Sequence, residues 1–270
     1  MTTKPKGEMS FLEHLEELRW LLVRSAIAIL IGALGAFFIS DFIIEQVIFG
    51  PAKTDFITYQ FFCELSQKMG VEADFCIKEF PFKIQNTNMG GQFSFLIWIC
   101  FIAGFILAFP FVLWEIWKFI KPALYKTEQK YAVGFIVTTS LLFFMGVLFG
   151  YYLIVPLSIH FFGTFNISNT ISNEFNLESY IGMIKTSVIA CGLLFELPII
   201  VYFLSKLGLV TPSFLRKYRK YAAVIILILA AIITPPDVLS QIIVTIPIMI
   251  IYEASILISV FVEKRAAKSV

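Results

Sequence analysis

The chain has 270 residues, of which 59% are hydrophobic and only 15% charged, and its mean hydropathy is +0.85. Soluble domains carry about 25% charged residues, so a water-soluble fold could not hide this much apolar surface and the chain is expected to be solvated by lipid. A formal net charge of +2 excludes a general attraction for nucleic acid and leaves the lysines and arginines to act through their placement.

A membrane-spanning helix needs about 20 mostly apolar residues. In chain order, the charge-poor runs predict an all-α polytopic protein, a single integral membrane domain over residues 1–270 with spans near 20–43, 93–116, 132–158, 181–204, 221–235 and 238–259. No cleavable signal pattern with a small-residue site opens the sequence, so the first apolar stretch is expected to be kept. Ser10 followed by Glu13 is a capping-box pattern, starting a helix that runs on into the first span. The loop at 44–92 holds Phe49, Phe56, Tyr59, Phe61, Phe62, Phe75, Phe80 and Phe82, too many rings for a bare tether. It is expected to fold as an outer cap, joined by the Ser, Thr and Asn-rich loop near 163–180. The last two spans read as short, because the charge-free runs from Tyr221 to Pro236 and from Val238 to Tyr252 reach only about 24 and 22 Å as helix. Thr234, Pro235, Pro236 and Asp237 then form the turn of a stubby hairpin that thins the bilayer locally, with a re-entrant pair as the alternative.

Short cytoplasmic loops hold the excess of positive charge, and this sets the orientation. Lys4, Lys6, Arg19 and Arg24 precede or open the first span, and Lys118, Lys121, Lys126 and Lys130 follow the second. Lys206, Arg216, Lys217, Arg219 and Lys220 follow the fourth, and Lys264, Arg265 and Lys268 close the chain. The other side has Lys53, Lys68, Lys78 and Lys83 in a loop that also carries Glu45, Asp55, Glu64, Glu72, Asp74 and Glu79. Both termini are therefore expected in the cytoplasm, in a multi-pass protein of the cytoplasmic (inner) membrane. Cys63 and Cys76 share the outer loop, where an oxidising compartment permits a disulfide between them, although spacing by itself does not establish proximity. Cys100 and Cys191 lie in apolar runs and behave as small hydrophobes.

Among the acids near the N-terminus, Glu13 can cap and Glu16 can pair with Arg19, which leaves Glu17 either solvated or suited to an external cation. Glu128 opens the third span, where the helix dipole favours an acid, and it shares the cytoplasmic face with Glu17. Two carboxylates there could grip guanidinium groups by charge-assisted hydrogen bonds. Glu196 falls near the middle of the fourth span, where an ionised side chain costs about 2.5–3.5 kcal/mol on insertion scales. Pro198 frees a carbonyl one turn back, and the expected partners of Glu196 are polar groups of the hairpin, Gln241 among them, or another protein's helix. A protonated glutamate hydrogen-bonded between helices is the structural alternative. Lys185, Glu253 and Glu115 lie nearer span ends, where snorkelling suffices. His14 and His160 have no metal-ligand spacing, and no phosphate loop, nucleophile elbow or zinc-protease motif is present. The reading is of a protein that is not an enzyme and holds no cofactor or metal.

Phe11-Leu12-Glu13-His14-Leu15-Glu16-Glu17-Leu18-Arg19 and Trp117-Lys118-Phe119-Ile120-Lys121-Pro122-Ala123-Leu124-Tyr125-Lys126-Thr127-Glu128 together resemble the TatC family, core receptor of the twin-arginine protein translocase. Phe195-Glu196-Leu197-Pro198 and Thr234-Pro235-Pro236-Asp237-Val238-Leu239-Ser240-Gln241 are similar to later motifs of that family, in the same order. The resemblance implies a six-helix cupped bundle that binds twin-arginine signal peptides and passes folded proteins across the membrane on the proton-motive force, as part of a multi-subunit complex. Glu17 and Glu128 would bind the signal's arginines, with Arg19, Phe119 and Pro122 shaping the groove. Glu196 and Gln241, beside Pro198, would form the intramembrane site where single-span subunits of the TatA and TatB type dock, and other copies of the chain would join the complex. Pro51, Pro110 and Asp237 match family positions with structural roles. Leu21, Gln129 and Lys130 stand where the family often has basic residues, and the first outer loop is longer than usual.

A proton-coupled secondary transporter for a small solute is the main alternative, since a central glutamate on a proline-broken helix suits one. The two halves of the chain, however, lack the internal similarity such carriers show. A scaffold without a substrate would leave the Glu17 and Glu128 motifs unexplained.

Overall fold

The structure is a computed structural model and describes residues 11–70, 76, 80, 82–121, 132–168, 173–236 and 238–268. Ser10, Pro122, Glu128 and Asp237 lie outside the described residues. In chain order the helices are α1 (Phe11–Phe38), α2 (Ser40–Phe42), α3 (Ile57–Met69), α4 (Gly91–Ile120), α5 (Ala132–Phe149), α6 (Val155–Thr164), α7 (Leu177–Leu194), α8 (Leu197–Lys206), α9 (Pro212–Lys217), α10 (Arg219–Ile233) and α11 (Val238–Lys268). There are also two short strands, β1 (Phe82–Gln85) and β2 (Asn173–Asn176), π-helical segments at Ile43–Ile48 and Gly150–Ile154, and a 3-10 turn at Gly50–Ala52. Five stretches among the described residues are long and apolar enough to cross a bilayer: Leu12–Phe38, Gly91–Ile120, Val133–Thr164, Leu177–Lys206 and Ser240–Lys264. The chain divides into two compact units, Met1–Ile43 with Gln92–Leu141, and Ile44–Gly91 with Leu142–Val270.

In the first unit α1 and α4 run antiparallel and meet backbone to backbone. A Cβ on Gly104 would lie 2.7 Å from the carbonyl oxygen of Ile29, and one on Gly32 would lie 2.9 Å from that of Gly104. Without a hydrophobic drive between helices in lipid, such close approach of small residues supplies the packing. Trp117 of α4 packs on Phe135 of α5, with ring centroids 4.9 Å apart.

In the second unit Gly146 and Gly150, four residues apart, do the same for the third and fourth spans. Added Cβ atoms there would strike the backbone of Cys191 and Gly192, and of Ser187 and Val188. Pro156 has no N–H to give the carbonyl of Tyr152 one turn back. The chain takes a π-helical turn over Gly150–Ile154, and the Tyr152 carbonyl accepts instead from the Thr58 hydroxyl on α3. Tyr59 is buried alongside, its hydroxyl 2.9 Å from the Pro51 carbonyl and 3.2 Å from that of Pro156. Burial first, and the nearby Tyr180 second, raise the Tyr59 phenol far above its usual range, so it stays a donor. The start of α3 therefore folds onto the third span. In the same 44–92 loop, β1 pairs in parallel with β2 of the later loop, Phe82 opposite Asn173 through Gln85 opposite Asn176, a small sheet that an all-helical reading does not contain. Cys63 and Cys76 are joined as a disulfide, with Cα atoms 4.9 Å apart.

The final hairpin is asymmetric, unlike the pair of stubs expected from charge-free runs. With 15 residues α10 is short, about 22 Å, but α11 has 31 residues and runs about 46 Å. The charge-free run ends at Glu253 but the helix does not: Glu253 lies inside α11, where it pairs with Arg219 at the start of α10 across 2.7 Å. The core of this unit gathers Ile226 and Ala230 of α10, Val244, Ile248, Tyr252 and Ile256 of α11, and Val201 of α8.

Candidate functional site

Two of the carboxylates singled out in the sequence, Glu17 and Glu196, have no cation among the described residues. The first lies at the end of the first unit where α1 begins and α4 stops. His14 stacks on Phe119, ring centroids 4.3 Å apart, which ties the first turn of α1 to the last turn of α4. One turn on from His14, Glu17 is exposed, as are Glu16 and Arg19. The expected Glu16–Arg19 pair does not form, and among the described residues Glu17 has no ion pair. Pro122 and Glu128 fall in the segment that joins α4 to α5. The described ends flanking that segment, packed through Trp117 and Phe135, are at the same end of the unit as Glu17.

Glu115, one turn before Phe119, was expected to snorkel, and the structure corrects this. Its side chain is 3% exposed and receives Arg24 Nη1 at 3.3 Å and Lys118 Nζ at 2.5 Å. The signal available in the sequence is one base a turn inside the first expected span and one acid at the very end of the second. What it lacks is the antiparallel register that brings them together. With two cations of its own, Glu115 is not free to recruit another.

The second lies at the break in the fourth span. Pro198 cannot donate to the Leu194 carbonyl, so α7 ends at Leu194 and α8 restarts at Leu197. Glu196 caps the restart through its backbone, its carbonyl accepting from Ile199 and Ile200 N–H at 3.0 Å. Its side chain is 8% exposed, and among the described residues neither carboxylate oxygen has a hydrogen-bond partner. Gln241 is engaged elsewhere, its amide donating to the Leu227 carbonyl at 3.1 Å, so the two are not bonded to each other. Phe195, the residue before Glu196, packs at a tilt against Phe149, ring centroids 5.4 Å apart, and with it lines an open, mainly apolar groove of about 1010 Å³ together with Met145, Leu148 and Tyr152. Pro51 is fully buried where its carbonyl receives Tyr59, and Pro110 lies inside α4. Among the described residues no cluster of His, Cys, Asp or Glu could hold a metal.

Comparison with known proteins agrees along nearly the whole length. The family model described as "Sec-independent protein translocase protein (TatC)" matches residues 13–247. The Sec-independent protein translocase protein TatC of Blattabacterium sp. subsp. Periplaneta americana is 46% identical over 261 residues, 96% of this chain and 98% of that protein. TatCy of Bacillus subtilis is 34% identical over 269 residues, 100% of this chain and 96% of that one. A solved structure, "Crystal Structure of Twin Arginine Translocase Receptor- TatC in DDM", superposes with a TM-score of 0.70 at 32% identity, covering 91% of this chain and 98% of that one.

Proposed function

Because this chain belongs to the TatC family of Sec-independent protein translocase proteins, we propose that it is the receptor for twin-arginine signal peptides and the core subunit of a translocase that exports folded proteins on the proton-motive force. The observation that carries this reading is the uncovered Glu17 beside the His14–Phe119 stack. A carboxylate with no cation among the described residues, at the end of the unit where α4 stops, is suited to an arriving guanidinium. Glu17 and Glu128 hold the two arginines, and Arg19, Phe119 and Pro122 shape the groove around them.

Glu196, with Pro198 and Gln241, serves as the intramembrane polar site against which single-span TatA- and TatB-type subunits dock. The unpartnered carboxylate and the apolar groove beside Phe195 support this role. An unpartnered mid-span carboxylate alone would equally suit a proton-coupled carrier, and family membership decides between the two. The protein works as one membrane domain of six spans in the cytoplasmic membrane, both termini inside, with α10 as the short fifth span. The 44–92 loop forms the outer cap, on the side where the Cys63–Cys76 disulfide is stable. Pro51, Pro110 and Asp237 act structurally, other copies of the chain join the complex, and no bond-making chemistry or cofactor is involved. Glu17→Ala and Glu128→Ala are each expected to abolish export of a twin-arginine precursor while the protein remains inserted. Unchanged export in both variants overturns the assignment.

A further inference from the structure

From Leu197 to Pro236 the sequence contains no acid and five cations, Lys206, Arg216, Lys217, Arg219 and Lys220. Arg219 is satisfied by Glu253, whereas Arg216, Lys217 and Lys220 are exposed and, among the described residues, have no acidic partner. The segment that carries them is firmly placed. Thr211 caps α9, its hydroxyl accepting from Phe214 N–H at 3.2 Å, and Pro212 and Leu215 are buried. The Tyr252 hydroxyl of α11 donates to the Leu215 carbonyl at 2.9 Å.

With its inner side held in this way, the other side of α9 and the start of α10 present a row of rings. Phe214, Tyr218 and Tyr221 are 49%, 41% and 67% exposed, with successive centroids 4.6 and 5.8 Å apart. Lys217 Nζ stands 6.0 Å from the centre of the Tyr218 ring. In bulk water this row would be an unsatisfied apolar strip, and in hydrocarbon the cations would be stranded. Only the membrane boundary satisfies both. We infer that α9 and the first turn of α10 form a binding face for anionic phospholipid headgroups, the phosphodiester meeting Arg216, Lys217 and Lys220 and the glycerol region lying on the three rings. A zwitterionic lipid brings its own ammonium to a face that already has unpaired cations, so the charge balance selects an anionic lipid.

The test uses the full-length protein in a neutral detergent, melted with added phosphatidylglycerol or phosphatidylcholine. Phosphatidylglycerol raises the melting temperature more than phosphatidylcholine does, and salt erodes the difference as the Debye length shrinks. The variant R216Q/K217Q/K220Q melts like the parent in phosphatidylcholine and loses most of the phosphatidylglycerol increment. A control, K53Q/K68Q/K83Q in the 44–92 loop, keeps it. The same increment in both variants, or an equal loss in both, overturns the proposal. Glycerol phosphate in place of the lipid is expected to give no increment; an equal one would mark a site for soluble phosphate esters and also overturn it. Should the triple variant not purify folded, K217Q and K220Q are each expected to lose part of the increment, and no loss in either counts against the site.

Discussion

Glu115 in the first unit and Glu196 in the second are both buried, 3% and 8% exposed, yet they are opposites in what surrounds them. Glu115 is held by Arg24 and Lys118, cations from two helices, and so closes the α1–α4 seam from within. Glu196 sits at a helix break with both carboxylate oxygens unpartnered among the described residues. Burial alone therefore does not distinguish the two carboxylates; the tally of internal partners does. The acid neutralised by its own chain is a fastener, and the unsatisfied one is the better candidate for the docking role proposed above.

The sharpest way to break the contrast is to make Glu115 resemble Glu196. Arg24→Leu with Lys118→Leu leaves a bare buried carboxylate, which is expected to cost about 3 kcal/mol, the lower end of the range for broken buried pairs because both cations are half exposed. Adding Glu115→Leu should recover most of that loss, since a packed apolar trio is close to neutral with the ion triad. Thermal unfolding in detergent reads both effects, and a triple variant no better than the double would contradict the pairing. A smaller effect is expected at Glu196. Glu196→Leu removes an unsatisfied polar group and should leave stability unchanged or raised by about 1–3 kcal/mol while export is lost. Glu196→Gln, which keeps hydrogen-bonding capacity, should retain most export. Equal loss of export in both variants would mean that charge rather than hydrogen bonding is needed. The smallest effect belongs to the half-exposed Arg219–Glu253 pair, where Arg219→Gln should cost less than about 1 kcal/mol and less still in high salt.

Much of this architecture is legible in the sequence because lipid demands long charge-poor runs, and five of the expected spans coincide with stretches able to cross a bilayer. The break at Glu196 is legible too, since the missing N–H of Pro198 is a local fact. Relations between distant residues are not. Glu115 reads as a snorkelling acid until Arg24, 91 residues earlier, is seen beside it. The sixth span reads as a stub because a charge count stops at Glu253, blind to the arginine that neutralises it from the neighbouring helix. The attachment of α3 to the third span depends on Thr58 finding a carbonyl that Pro156 vacates 94 residues away along the chain from it to Tyr152, and no periodicity announces that. At the start of α1, the exposure of Glu17 follows from its sequence surroundings. The His14–Phe119 stack that places it at the end of α4 had to be seen.

The most direct test of the receptor assignment is the affinity of the detergent-solubilised protein for two synthetic signal peptides, one with paired arginines and one with paired lysines. The arginine peptide should bind the parent protein more tightly, because lysine cannot make the bidentate contact. Glu17→Ala and Glu128→Ala should each weaken it by about tenfold or more without shifting the melting temperature. Equal affinity of the arginine peptide for the parent and both variants would contradict the account.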